Sequence, residues 1–145
     1  MIKIVVIDGQ GGRMGKSIIE QIKKNCSDDY DFAIYAVGTN SAATQAMLKG
    51  GADFGATGEN PVLVNVKDAD LIIGPIGVVI ADSLLGEITP AIAAAVGSSP
   101  AYKIFIPVNR CSHKIVGCKE APLGEYLQEV CEEVIQFIEK KSRNI

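Results

Sequence analysis

The sequence predicts an α/β protein: a Rossmann-like, doubly wound, mainly parallel sheet with helices on both faces, in a single domain over residues 1–145. Three observations carry that expectation. Short runs rich in Val and Ile recur at residues 2–7, 31–37, 69–73 and 102–108, each the length of a strand covered on both faces. Stretches of helical periodicity separate them, the pattern of βαβ units. The first run also ends in four glycines over seven positions, Gly9, Gly11, Gly12 and Gly15, with a helix following at once.

The elements follow in order. Residues 13–25 repeat Met14, Ile18, Ile19 and Ile22 at helical spacing, with Glu20, Lys23 and Lys24 opposite. The run 31–37 is stopped by Gly38, Thr39 and Asn40. Residues 41–49 read as a short helix capped by Ser41 or Asn40 and closed by Gly50 and Gly51. Residues 52–60 are glycine-rich and are expected to form a loop, followed by a short strand at 62–66. After the strand at 69–73, two helices are expected: Gly86 closes the first, and Thr89 with Pro90 starts the second. Residues 114–116 are expected as an edge strand. A final helix carries the apolar stripe Tyr126, Leu127, Val130, Cys131, Val134 and Ile138.

Bulk properties exclude several function classes. The formal charge is −3 from 14 basic and 17 acidic residues, there is no Trp, and no basic stripe exists, so nucleic acid is not an expected partner. The apolar tract from 71 to 95 is interrupted by Asp82, Glu87 and Pro90 before it reaches the roughly 18–20 residues of a membrane span. The chain enters a strand at once, without a leader pattern, so a cytoplasmic location is expected. Cys26, Cys111, Cys118 and Cys131 show no paired spacing and are expected to be reduced thiols.

The glycine loop points to a phosphate-bearing ligand, because a strand-to-helix turn aims backbone N–H groups and the positive end of a helix dipole at one volume. The spacing G-x-G-x-x-G does not fit. Gly9-x-x-Gly12-x-x-Gly15 does, with Gly9 for the tight turn, Gly12 for approach of a pyrophosphate and Gly15 for packing of helix on sheet. Gln10, Gly11, Arg13 and Met14 complete the candidate cofactor loop. The phosphate-cradling G-x-x-x-x-G-K-[ST] nearly fits at Gly15, Lys16 and Ser17, but its first position is Gln10 and no later strand ends in Asp.

The other strand ends complete the expected rim. Thr39 or Asn40 is placed to bond one ribose hydroxyl, since Gly38-Thr39-Asn40 lacks the usual acid. Arg13 is placed to meet a 2′-phosphate, which favours NADP over NAD. Gly74, Pro75 and Ile76 lie where the ribose or nicotinamide end would reach. Asn109 and Arg110 follow the strand at 102–108, Arg110 as a bidentate grip for carboxylate or phosphate. Asp8, at the loop's mouth, repels pyrophosphate unless protonated, turned away or bridged by a cation. Cys111 with His113 is a candidate nucleophile pair, and Glu59 with Asn60 a candidate lid. The direction of Asp82 and Glu87 is open.

The run from Gly9 to Gly15 resembles the cofactor loop of dihydrodipicolinate reductase, a nicotinamide-dependent family in which arginine and methionine occupy the places of Arg13 and Met14 and the loop binds pyrophosphate. The likeness covers residues 2–22. That family's His-rich catalytic motif and its lysine–serine–glycine segment have no counterpart here. Over its whole length, through residues 7–16, 38–52, 55–60, 72–90 and 106–111, the chain resembles a family of short bacterial proteins described as a domain of unknown function, similar to Rossmann-type nucleotide binders. The resemblances imply a cofactor site and no reaction. The expected function is therefore a nucleotide or dinucleotide (NAD or NADP) binding module without an identified catalytic set. The alternatives are a small NAD(P)-dependent oxidoreductase and a phosphate-loop nucleotide hydrolase. The expected partners are a small-molecule nucleotide and, from the apolar helix pair between Gly77 and Val96, a second copy in a homodimer.

Overall fold

In the computed structural model, residues 1–108 and 112–144 are described. Strand β1 (Ile2–Asp8) leads into helix α1 (Arg13–Asn25); β2 (Phe32–Gly38) into α2 (Ser41–Lys49); β3 (Phe54–Thr57) into α3 (Glu59–Asn65). Then come β4 (Leu71–Pro75), a 3-10 turn (Ile76–Val79), α4 (Pro90–Ser98), β5 (Tyr102–Ile106) and α5 (Leu123–Arg143). The five strands form one sheet in the order β3-β2-β1-β4-β5, with every pair parallel. The α/β doubly wound expectation holds, with β1 at the centre.

The alternation of a strand explains the two layers of core. Ile4 and Val6 of β1 face a cluster with Ile18, Ile19 and Ile22 of α1, Met47 of α2, and Val130, Val134 and Ile138 of α5. Val5 and Ile7 face the other way, onto Val62 of α3 and Ile92, Ala93 and Val96 of α4. Because both faces are covered, β1 reads as an unbroken apolar run rather than an alternating one. No helix among the described residues is long and apolar enough to cross a membrane.

Four expectations are corrected. Residues 52–60 are not only a loop: they contain the edge strand β3 and the start of α3. β3 was hidden because it is mostly solvent-exposed, so its side chains carry no apolar alternation. The stretch 62–66 is mainly helix, not strand. A strand would place Val62, Val64 and Val66 on one face, whereas Val62 and Val66 are buried and Val64 is 52% exposed, the i, i+4 pattern of a helix. The first of the two helices expected after residue 77 is only the 3-10 turn followed by tight turns. Asp82 (φ +67°), Leu84 (φ +55°) and Leu85 (φ +56°) take the left-handed region there, followed by Gly86, at a cost of about 1–2 kcal/mol per non-glycine residue. Residues 114–116 form no strand, which leaves β5 as a sheet edge. The second expected helix begins as read: Thr89 Oγ1 accepts from the Ile92 amide at 3.1 Å, with Pro90 at the first helical position.

Parallel pairing aligns the strand ends. Asp8 pairs with Gly38, Gly38 with Thr57, and Pro75 with Ile106. The loops after β1 and β2 therefore stand side by side on one rim of the sheet.

Candidate functional site

Four of the glycine loop's amides are satisfied by the chain itself. The Gly12 N–H donates to the Gly9 carbonyl at 2.9 Å. Asp8, only 5% exposed, turns inward beneath the loop: its Oδ1 accepts from the Gly9 amide at 2.8 Å and its Oδ2 from the Gly15 amide at 2.7 Å. The Gln10 amide donates to Glu87 Oε1 at 3.0 Å. Among the described residues, the amides of Gly11, Arg13 and Met14 have no hydrogen-bond partner. Those three sit at the exposed N-terminal end of α1, a 13-residue helix without a side-chain cap, where the dipole favours an anion.

Asp8 is thus turned away from the mouth. Burial pushes its pKa up; the Gly15 and Gly9 amides pull it back only in part, and the nearby Glu87 charge adds to the rise. Fixed under the first turn of α1, Asp8 ties the Gly9 and Gly15 amides together and so shapes the loop.

The glycines divide the loop into a packed side and an open side. A Cβ on Gly9 would lie 2.6 Å from Thr39 Oγ1, and one on Gly15 would lie 2.5 Å from Met47 Sδ. Gly12, expected to let pyrophosphate approach, meets α2 instead: it holds φ +71°, and a Cβ there would lie 2.6 Å from the Ala43 Cα. Gly11 is the position facing open space, with nothing within 4 Å of a Cβ. Arg13 is exposed and Met14 half-buried beside it.

At the end of β2, Thr39 and Asn40 are already engaged. Asn40 Oδ1 accepts from the Ala43 amide at 2.9 Å and caps α2, while its Nδ2 donates to the Gln10 carbonyl at 2.9 Å and to Glu87 Oε1 at 2.7 Å. Thr39 Oγ1 donates to the same Oε1 at 2.6 Å. Partial burial works to raise the Glu87 pKa, but the hydrogen bonds from Thr39, the Gln10 amide and Asn40 outweigh it and hold the carboxyl below its ordinary range. Sequence reasoning left Glu87 undirected. Its available signal was a single acid between apolar residues, two positions before the Thr89 cap of α4.

The remaining candidates separate. Gly74 and Pro75 are buried in β4, and a Cβ on Gly74 would lie 2.6 Å from the Ile7 carbonyl oxygen, so that glycine serves the β1–β4 contact. Ile76 lines a cleft of about 600 Å³ between β5 and α5, with Ile104, Ile106, Cys118, Tyr126 and Glu129; no glycine-loop residue lines it. Asn109, Arg110 and Cys111 lie outside the described residues. His113 is exposed. Glu59 accepts from Thr89 Oγ1 at 2.5 Å, which ties it to the start of α4. Asp82 is exposed, in the left-handed turn. No group of three or more His, Cys, Asp or Glu among the described residues is arranged to hold a metal ion.

No curated protein sequence matches the chain. Among solved structures, a dodecameric FMN-dependent Ubix-like decarboxylase from Escherichia coli O157:H7 is 16% identical, with a TM-score of 0.44, over 94% of this chain and 76% of that one. A family model matches residues 3–139, nearly the whole chain and all five strands with the glycine loop; the protein belongs to the family described as a domain of unknown function (DUF3842).

Proposed function

We propose that the protein is a nucleotide-binding module of the NAD(P) type, with the ligand's phosphates seated on the amides of Gly11, Arg13 and Met14. The single observation that carries this reading is that these three N–H groups, on the open side of the loop and at a helix N-terminus, have no partner among the described residues. The residues present suit a pyrophosphate. Three amides lie unpaired at the start of α1, the exposed Arg13 has no ion pair among the described residues, and Asp8 faces inward.

The test is a thermal-shift panel of NAD, NADP, their reduced forms, ATP, GTP, FAD and S-adenosylmethionine. A ligand at 100 times its Kd adds about 2.7 kcal/mol of stability and raises Tm by several degrees. Gly11→Leu is the informative variant. Its side chain enters open space, so unliganded stability is expected to stay within about 0.5 kcal/mol of the parent, while the nucleotide-induced shift disappears. A shift that survives Gly11→Leu, or no shift with any nucleotide, overturns the reading. An ATP shift that requires Mg²⁺ and Lys16 moves it to the phosphate-loop class, and oxidation of a bound reduced nicotinamide by aldehydes or imines makes the protein an oxidoreductase.

Self-association belongs to the same proposal. Both sheet edges, β3 and β5, expose an aromatic residue, Phe54 and Tyr102, and unpaired strand edges invite pairing. Sedimentation equilibrium is expected to give a mass near twice the 15.3 kDa of the chain; a monomer at all concentrations counts against it.

A further inference from the structure

We infer that Glu87 is the ribose-reading residue of this site, selecting a ribonucleotide with a free 2′-hydroxyl and rejecting one with a 2′-phosphate. The inference rests on the nucleotide reading above and narrows its ligand to the NAD rather than the NADP side.

Dinucleotide sites of this fold place a carboxylate at the end of β2, where it accepts from the ribose hydroxyls. Here β2 ends in Gly38, Thr39 and Asn40, without an acid. The structure supplies one from 47 positions beyond Asn40: Glu87 Oε1 is fixed to the ends of β1 and β2 by the Gln10 amide, Thr39 Oγ1 and Asn40 Nδ2. Glu87 Oε2 has no partner among the described residues. The carboxylate is thus held by one oxygen at the ends of β1 and β2, next to Gly9, and its other oxygen is left for a ligand.

Charge then sets the selectivity. An ionised carboxylate only accepts hydrogen bonds. A ribose hydroxyl donates to it, whereas a 2′-phosphate sets a second anion against it and a 2′-deoxyribose offers no donor there. Arg13, at the first helical position of α1, is left for the pyrophosphate rather than for the 2′-phosphate expected from sequence.

Backbone strain gathers around the same contact. Gln10, whose amide holds Glu87, has φ +49°, and Asp82, Leu84 and Leu85 take left-handed values in the turn that delivers it. Non-glycine residues persist in that region only where surrounding structure over-determines them, and such residues cluster at ligand sites. Leu84 anchors the turn in the core, while Leu85 stands 96% exposed.

The test measures affinities of NAD, NADP, ADP and 2′-deoxy-ADP by titration calorimetry, for the parent chain, Glu87→Gln and Glu87→Ser. The parent is expected to bind NAD over NADP, and ADP over the deoxy form, by roughly tenfold or more, the size of one hydrogen bond to a charged group. Glu87→Ser is expected to bring both ratios within about threefold, mainly by strengthening NADP. Glu87→Gln, which keeps the shape and removes the charge, is expected to relax the NADP ratio even if the serine variant folds poorly. A parent that binds NADP as well as NAD, or ratios that survive both substitutions, overturns the assignment and leaves Glu87 as a staple between loops. If neither NAD nor ADP binds the parent, the nucleotide reading falls as well; if they bind through Gly11 with ratios indifferent to Glu87, only the ribose assignment falls.

Discussion

Replacing Asp8 with alanine is expected to lower stability by about 2–4 kcal/mol, because it leaves two buried amides without an acceptor and each such loss costs about 1–3 kcal/mol. The amides are those of Gly9 and Gly15, at 2.8 and 2.7 Å from the carboxylate. Urea melts at several pH values give the check, and the penalty should depend on pH with a definite sign. The folded chain raises the Asp8 pKa, burial being the main cause. A carboxyl with a raised folded pKa gives its full contribution below the unfolded value of about 3.9, and part of it is lost as pH rises through the folded value. The Asp8→Ala penalty should therefore be larger at about pH 3.5 than at about pH 7. Glu87 has the opposite sign, since hydrogen bonding lowers its folded pKa: its contribution is present above the ordinary glutamate value of about 4.3 and is lost as pH falls through the depressed one. A penalty for Asp8→Ala that grows toward neutral pH would refute this account of the loop.

Gly12→Ala should be at least as damaging. A non-glycine residue in the left-handed region costs about 1–2 kcal/mol, and overpacking adds about 1–3 kcal/mol. The new methyl would meet the backbone of Ala43, with its Cα at 2.6 Å and its carbonyl oxygen at 2.7 Å, so no flexible side chain can give way. A loss of about 2–5 kcal/mol in a denaturant melt is expected, against near-neutrality for Gly11→Leu one position earlier. Equal effects at the two positions would contradict the division of the loop into a packed and an open side. The contrast also bears on binding experiments: a Gly12 variant that fails to bind reports a broken contact between α1 and α2, not a blocked phosphate.

Much of this architecture is written in periodicity. β1 is apolar on both faces and so is recognisable from residues 2–7, and α5 shows its stripe from Tyr126 to Ile138. The elements missed lack such a pattern. β3 is an exposed edge, and the 62–66 stretch has β-branched valines whose burial, not whose type, distinguishes helix from strand. The turn after Val79 owes its shape to left-handed residues that no local rule assigns to Leu84 or Leu85. In the site, the glycines were visible but their division of labour was not, because it depends on Ala43 and Met47 of α2, about 30 positions away. Glu87 was invisible for the same reason: its place beside Gln10 comes from packing across the sheet, and β2 alone carries no trace of it.

The central place of β1 has a consequence during synthesis. It is made well before its partner β4, which begins only at Leu71. At about 5–20 residues per second, roughly 3–13 s separate the two. Over that interval the run from Ile4 to Ile7 has β2 as its only neighbour and one side unpaired. Slower translation before Leu71 is expected to raise the insoluble fraction of the expressed chain, measured by separating soluble from pelleted protein.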